Sequence, residues 1–350
     1  MRWYDITFTG NTGPAVPGLP LNYRSLDDRG NHNPGALEVD FDIINAAGHF
    51  ATPASRLRIH NVPLSICQKA LSYQGMQVQI SAGFSDTATS GFKLAKTAQA
   101  GVIGFGAVQA CIPNYMGTEM VMDFIIIPSI SGSPDLDLSS SENNGPRNYA
   151  FEWQVGQSFM EAIGVTFKRL GYKVTGGVSS KLKNNTGLPV SWVGGTYEKF
   201  CTFINDRTRN IVDPPVPGQI QTYDGVSISS PSLGTVLISD NTWEGGIIPL
   251  FAEEFIGQPS IFTPLGLEVQ SVLPLRSDIM IAGYVSLPVI STLVATSVGG
   301  VPGTQSKPLT ASSKKLRVTQ VRHLGRFRDS SAQGWVSIVT AGSALQPLEA

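Results

Sequence analysis

The sequence predicts a β-rich α+β protein: two small split β-barrel modules with an α/β segment inserted between them. Three observations predict it. Short stretches of alternating apolar and polar residues fill both ends of the chain, which is the period of a half-buried strand. Helical spacing of apolar residues is concentrated in one central segment. Glycine and proline together contribute 37 and 23 of 350 residues, above the roughly 12% usual for their sum, and that excess serves many turns between short strands. The resulting division is a first barrel with an N-terminal arm over residues 1–127, a linker over 128–148, an α/β insertion over 149–230, and a second barrel with a C-terminal hairpin over 231–350.

Residues 3–9 alternate as a strand, and 10–36, rich in Gly, Pro, Asn and Asp, read as a long arm. Residues 37–44 alternate strictly, with Leu37, Val39, Phe41 and Ile43 on one face and Glu38, Asp40 and Asp42 on the other. Strands follow at 57–64, 78–84, 101–106 and 117–127, with a helical piece at 64–72. Residues 128–148 break the pattern with Ser, Gly, Pro and Asn. A strand at 149–154 leads into a helix over 156–170, where Phe159, Ile163 and Phe167 recur at fourfold spacing and Gly171 is placed to cap the end. A strand at 190–193, a helix over 196–207 with Phe200, Phe203 and Ile204 on its buried stripe, and a strand at 218–229 complete the insertion. Further strands are expected at 234–239, 247–254, 266–273, 278–287, 289–297, 315–324 and 333–340, with a loop at 298–313.

Composition narrows the function classes. Charged residues make up 15% of the chain, against about 25% in an average globular protein, which suits a surface partly covered by partners. The net charge of −1 argues neither for nor against nucleic acid. Cys67, Cys111 and Cys201 are an odd set without a CxxC pair, so the expectation is a reducing compartment rather than a disulfide framework. The first residues lack the apolar stretch of a signal peptide, and no apolar run approaches the roughly 20 residues that cross a bilayer; no membrane insertion is expected.

No catalytic, metal or cofactor constellation emerges. His32, His49, His60 and His323 lie at no metal-ligand spacing. There is no GxSxG elbow, and Gly101, Gly104 and Gly106 lack the lysine of a phosphate loop; glycines of a curved strand explain them better. A carboxylate pair for glycoside hydrolysis would come from Asp135, Asp137, Glu244, Glu253 or Glu254, and nothing singles out two of them. The dense basic stretch Lys314, Lys315, Arg317, Arg322, Arg326 and Arg328, with His323 among them, is the candidate interaction surface. No aromatic stacking platform accompanies it, which favours a protein partner over nucleic acid.

The runs Ile59-His-Asn, Val78-Gln-Ile-Ser-Ala-Gly-Phe, Gly101-Val-Ile and Gly117-Thr-Glu resemble the opening barrel of baseplate (tail) hub proteins from contractile-tailed bacteriophages and related injection machines. Gly257-Gln-Pro, Leu275-Arg-Ser-Asp-Ile, Leu287-Pro, and the ending Leu316-Arg-Val, His323-Leu-Gly and Gly334-Trp-Val-Ser-Ile-Val extend the resemblance over most of the chain. It implies tail-tube-like barrels and a structural, non-enzymatic protein of the virion baseplate, made in the host bacterial cytoplasm. It implies a homotrimer forming a pseudo-sixfold ring between the hexameric tail tube protein and the trimeric central spike protein. A tape measure protein and DNA in transit are the further contacts, with no cofactor. The alternatives from other classes are a tail-associated cell-wall or polysaccharide hydrolase and a receptor-binding tail protein, the latter requiring exposed Trp153, Trp192, Trp243 and Trp335.

Overall fold

The structure, a computed structural model, describes residues 1–10, 17–27, 30–48, 54–86, 93–94, 99–116, 119–127, 149–194, 197–214, 223–232, 234–243, 245–261, 268–287 and 315–343. The expected linker at 128–148, the strand at 289–297 and the loop at 298–313 lie outside the described residues, as do His49, Asp135, Asp137, Glu244 and Lys314.

The first part comprises strands β1 (Arg2–Thr9), β2 (Asn22–Arg24), β3 (Val39–Ala46) and β4 (Ser55–His60), the one-turn helix α1 (Leu64–Cys67), and strands β5 (Gln77–Asp86), β6 (Lys93–Leu94), β7 (Ala100–Met116) and β8 (Glu119–Ile127). The insertion follows as β9 (Tyr149–Trp153), α2 (Phe159–Arg169), β10 (Lys173–Gly177), β11 (Val190–Gly194), α3 (Tyr197–Val212), β12 (Ser227–Ser232) and β13 (Thr235–Ser239). The last part holds β14 (Ile247–Pro249), β15 (Ser260–Ile261), β16 (Glu268–Pro274), β17 (Tyr284–Ser286), β18 (Lys315–Arg326) and β19 (Trp335–Ser343). The protein is β-rich α+β, as expected from the sequence.

Strand order shows how the ends are joined. One sheet runs β15-β16-β19-β18-β3-β4-β8-β7-β5-β1-β2. The first and last parts therefore share a sheet, and the antiparallel β3–β18 ladder, from Asp40↔Arg326 to Ala46↔Gln320, is the crossing. The sheet also curls. In strand order β1 and β8 are three strands apart, roughly 14 Å in a flat sheet, yet the rings of Phe8 and Phe124 lie 5.1 Å apart. Tyr4, Ile6 and Phe8 of β1, Phe41 and Ile43 of β3, Leu57 of β4, Ile80 of β5 and Phe124 of β8 fill one core. Leu273 of β16, Val285 of β17, Val318 and Val321 of β18 and Val339 of β19 fill a second. Trp335, at the start of β19, belongs to the first core and stacks edge-on against Phe41 at 4.9 Å.

The insertion has its own core of Phe151, Trp153, Phe159, Phe167 and Phe200. Ser158 caps α2 by accepting from the Glu161 backbone N–H at 3.4 Å, and Gly171 follows the helix with φ 79°. Among the described residues no helix is long and apolar enough to cross a membrane.

Several elements differ from the sequence expectation for identifiable reasons. The strand expected at 57–64 stops at His60, because Asn61 adopts φ 57° and Pro63 follows. The helix expected over 64–72 is one α-turn and then a 3₁₀ turn at Ala70–Tyr73. The strand expected at 101–106 continues to Met116; Pro113 is tolerated because, among the described residues, this half of β7 has a strand only on the β8 side. The strand expected at 278–287 shrinks to Tyr284–Ser286, because Ala282 takes φ 64° in a turn closed by the Gly283 N–H on the Met280 carbonyl.

Candidate interaction face

The period of two sends Asp40 and Asp42 of β3 to the face opposite Phe41, and Arg56 and Arg58 of β4 to the face opposite Leu57. Register then sets these residues side by side. Arg326 lies across from Asp40, Asp40 across from Arg58, and Arg58 across from Asp123 of β8. One row over, Leu324 faces Asp42 and Asp42 faces Arg56. Charge of alternating sign thus crosses four strands, an arrangement that stabilises a sheet through cross-strand pairs.

Asp123 anchors the row. Its side chain is 6% exposed and accepts Arg58 Nε at 2.7 Å and Nη2 at 3.1 Å. Arg56 reaches the same carboxylate at 3.2 Å, and Asn114 of β7 donates at 3.3 Å. Burial works against the charged form of Asp123, but the hydrogen bond and charge of Arg58, with Asn114 and Arg56, hold the carboxyl below the usual carboxylate range. Arg322 grips Asp42 with two bonds, at 2.7 and 2.5 Å, and that hydrogen bonding raises the guanidinium pKa. His60 lies 3.2 Å from Asp40 and 3.7 Å from Glu119.

A groove of about 560 Å³ runs over these rows, lined by Asp40, Asp42, Arg56, Arg58, Arg322 and Arg326 and, from the β18–β19 connection, Asp329, Ser331 and Gln333. Gly325 lets its floor close: an added Cβ there would overlap the Phe41 ring. Arg2 ties the connection down by donating to the carbonyls of Arg326, Asp329 and Ser331. The groove carries both signs of charge, so it suits a polar protein surface better than a polyanion.

The structure brings Arg322 and Arg326 of the expected basic surface into this groove. Arg328 instead pairs with Glu38 at 3.3 Å and donates to the Ala36 carbonyl at 2.8 Å. Arg317 is buried and meets Ser239 of β13 at 3.2 Å. Lys315 begins β18, and its side chain is outside the described residues. Sequence reading missed Arg56, Arg58 and Asp123; the alternation Arg-Leu-Arg-Ile-His at 56–60, set against the acids of 38–42, was the available signal.

The carboxylates considered for hydrolysis are differently placed. Glu254 accepts the Phe251 N–H at 3.1 Å and binds Arg276 at 3.1 Å, while Glu253 is exposed on the same 3₁₀ turn. Neither lines the groove. Trp153 and Trp335 are buried in cores, and Trp192 stacks on Phe203 at 4.7 Å. Among the described residues no cluster of three or more His, Cys, Asp or Glu side chains is placed to hold a metal ion.

No protein-family model matches the sequence, and no curated protein sequence matches it. Among solved structures, the chain is similar to a 43 kDa tail protein of prophage MuSo2 from Shewanella oneidensis, with 8% identity and a TM-score of 0.48 over 99% of this chain and 100% of the other. It is similar to a tail protein from Neisseria meningitidis MC58, with 8% identity and a TM-score of 0.43 over 98% and 96% of the two chains. A third likeness is to a chain of a Francisella PdpA–VgrG complex, with 7% identity and a TM-score of 0.44, covering 98% of this chain and 58% of that one.

Proposed function

We propose that the chain is a structural baseplate hub: a homotrimer whose two sheet parts give six quasi-equivalent units around a channel, joining the hexameric tail tube to the trimeric spike. The carrying observation is the joint itself. Two sheet parts built around two cores are fused edge to edge through β3 and β18, a layout that would let one chain supply two adjacent segments of a ring. The family resemblance of the strand motifs supports the same reading. The groove containing Arg322 and Arg326 is then a docking face for a neighbouring protein of the tail, and its paired charges fix orientation more than affinity. The role is non-enzymatic; Glu254, held by Arg276, is a poor candidate for a catalytic acid.

Mass measurement in solution, with negative-stain images of the same sample, tests this. A species of three chains showing a threefold ring with a central hole is the expected result. A monomer that persists after mixing with tube and spike proteins would refute the hub.

A further inference from the structure

Three parts of the chain meet around one buried histidine. His323 sits on β18 between Ile43 of β3 and Ser337 of β19 and is 2% exposed. It lines a cavity of about 50 Å³, room for a few water molecules at most. Asn45 of β3, Gly104 of β7, Ser229 of β12 and Ser277, which follows β16, form other parts of the wall. The first part, the insertion and the last part all contribute, at the ladder that carries the sheet from one part to the other.

The surroundings favour a neutral ring. His323 Nδ1 lies 2.8 Å from Ser337 Oγ. That hydroxyl accepts the Arg276 backbone N–H at 2.9 Å and lies 3.3 Å from the Arg276 carbonyl. Nearby charges are engaged elsewhere. Arg322, next along β18, is held by Asp42 of β3, and the Arg276 guanidinium is held by Asp278 and Glu254. Among the described residues, β7 and β12 line the cavity with the uncharged Val102–Phe105 and Ser229–Pro231, and β19 offers Ser337 to the ring. Among the described residues lining the cavity there is no carboxylate. A protonated imidazole would be a buried charge without a counter-charge.

We propose that His323 is an acid-operated latch on this joint: the two sheet parts and the insertion close over a neutral ring, and protonation opens them. Burial alone pushes the imidazole pKa down to about 4, below the roughly 6.5 of a solvated histidine. The opened form therefore binds the proton first. The closed joint has its full advantage above about pH 6.5, loses it progressively as pH falls toward about 4, and loses no more below that.

Hydrogen exchange of the full chain at about pH 7.5 and about pH 5, corrected for the intrinsic pH dependence of exchange, tests the latch. Opening of amides in 39–46 and 315–326 should rise roughly 25-fold in the wild type over that interval. It should rise less than about threefold in His323→Gln, and the exposed His32→Gln should retain the wild-type response. An equal rise in His323→Gln overturns the proposal. Should that variant fail to fold, the imidazole proton resonance of wild-type His323 decides: a midpoint below about pH 5 supports the latch, and one near 6.5 overturns it.

Discussion

Asp123 and Arg322 both take part in ion pairs on the sheet face, yet their environments assign them different weights. Asp123 is buried and shared by Arg58, Arg56 and Asn114. Asp123→Asn would leave two guanidinium groups without their carboxylate, so a loss of roughly 2 kcal/mol in unfolding free energy is expected. Arg322 and Asp42 are 43% and 34% exposed, and Arg322→Gln should cost less than about 1 kcal/mol. Urea titration of both variants checks the contrast, with equal slopes and a clearly lower midpoint only for Asp123→Asn. The Asp123 contribution also has a sign in pH. Its carboxyl is held below its ordinary value, so its stabilisation is present near neutrality and disappears as pH falls through the depressed value. The outward direction of Asp40 and Asp42 was legible from alternation alone. Their positions opposite Arg58 and Arg56, and the ion pair of Asp42 with Arg322, were not, because cross-strand neighbours depend on register, which a single strand does not encode.

β3 shows how one strand is fixed from both faces. On its inner side Phe41 packs against Trp335 at 4.9 Å, and across the ladder Gly325 makes room for the Phe41 ring. Gly325→Ala should destabilise by about 2 kcal/mol, since the ring has to move within a packed core. Combining it with Phe41→Leu should cost less than the sum of the two single changes, because both act on the same space. Equal additivity in a thermal or urea double-mutant cycle would show that Gly325 is tolerated by a different rearrangement. Elements with local signals were readable: α2 has the fourfold apolar spacing of Phe159, Ile163 and Phe167, and Gly171 past its end. β7 and β17 were not, and the reason is tertiary. A neighbouring strand extends β7 past Pro113, and a left-handed Ala282 shortens β17; neither is a property of the local sequence.

The division into a first barrel over 1–127 and a second over 231–350 came from chain order, and chain order hides the sharing of core and sheet between them. Trp335 and Leu275, both from the last part, are buried in the first core. Phe327 packs edge-on against Tyr4 at 4.9 Å. β18 supplies the hydrogen-bonding partner for β3, and Arg2 is bonded to the β18–β19 connection. Removing residues 149–350 would therefore expose the β3 edge and leave a hole where Trp335 sits. Loss of a buried tryptophan alone costs about 3–5 kcal/mol, comparable with the whole stability of an ordinary domain, which is about 5–15 kcal/mol. A fragment of residues 1–148 is expected to lack a cooperative thermal transition and to have poor near-ultraviolet dichroism. Adding a separately made 231–350 fragment should restore both if the two parts complement. A fragment 1–148 that melts cooperatively on its own would mean that the first part is an autonomous barrel and that β18 merely docks on it. In that case the joint would be a contact between finished modules, and the two parts could shift against each other without either unfolding. The interlocked alternative makes the chain one cooperative unit, in which a load applied at one end of the sheet is carried through β3 and β18 to the other.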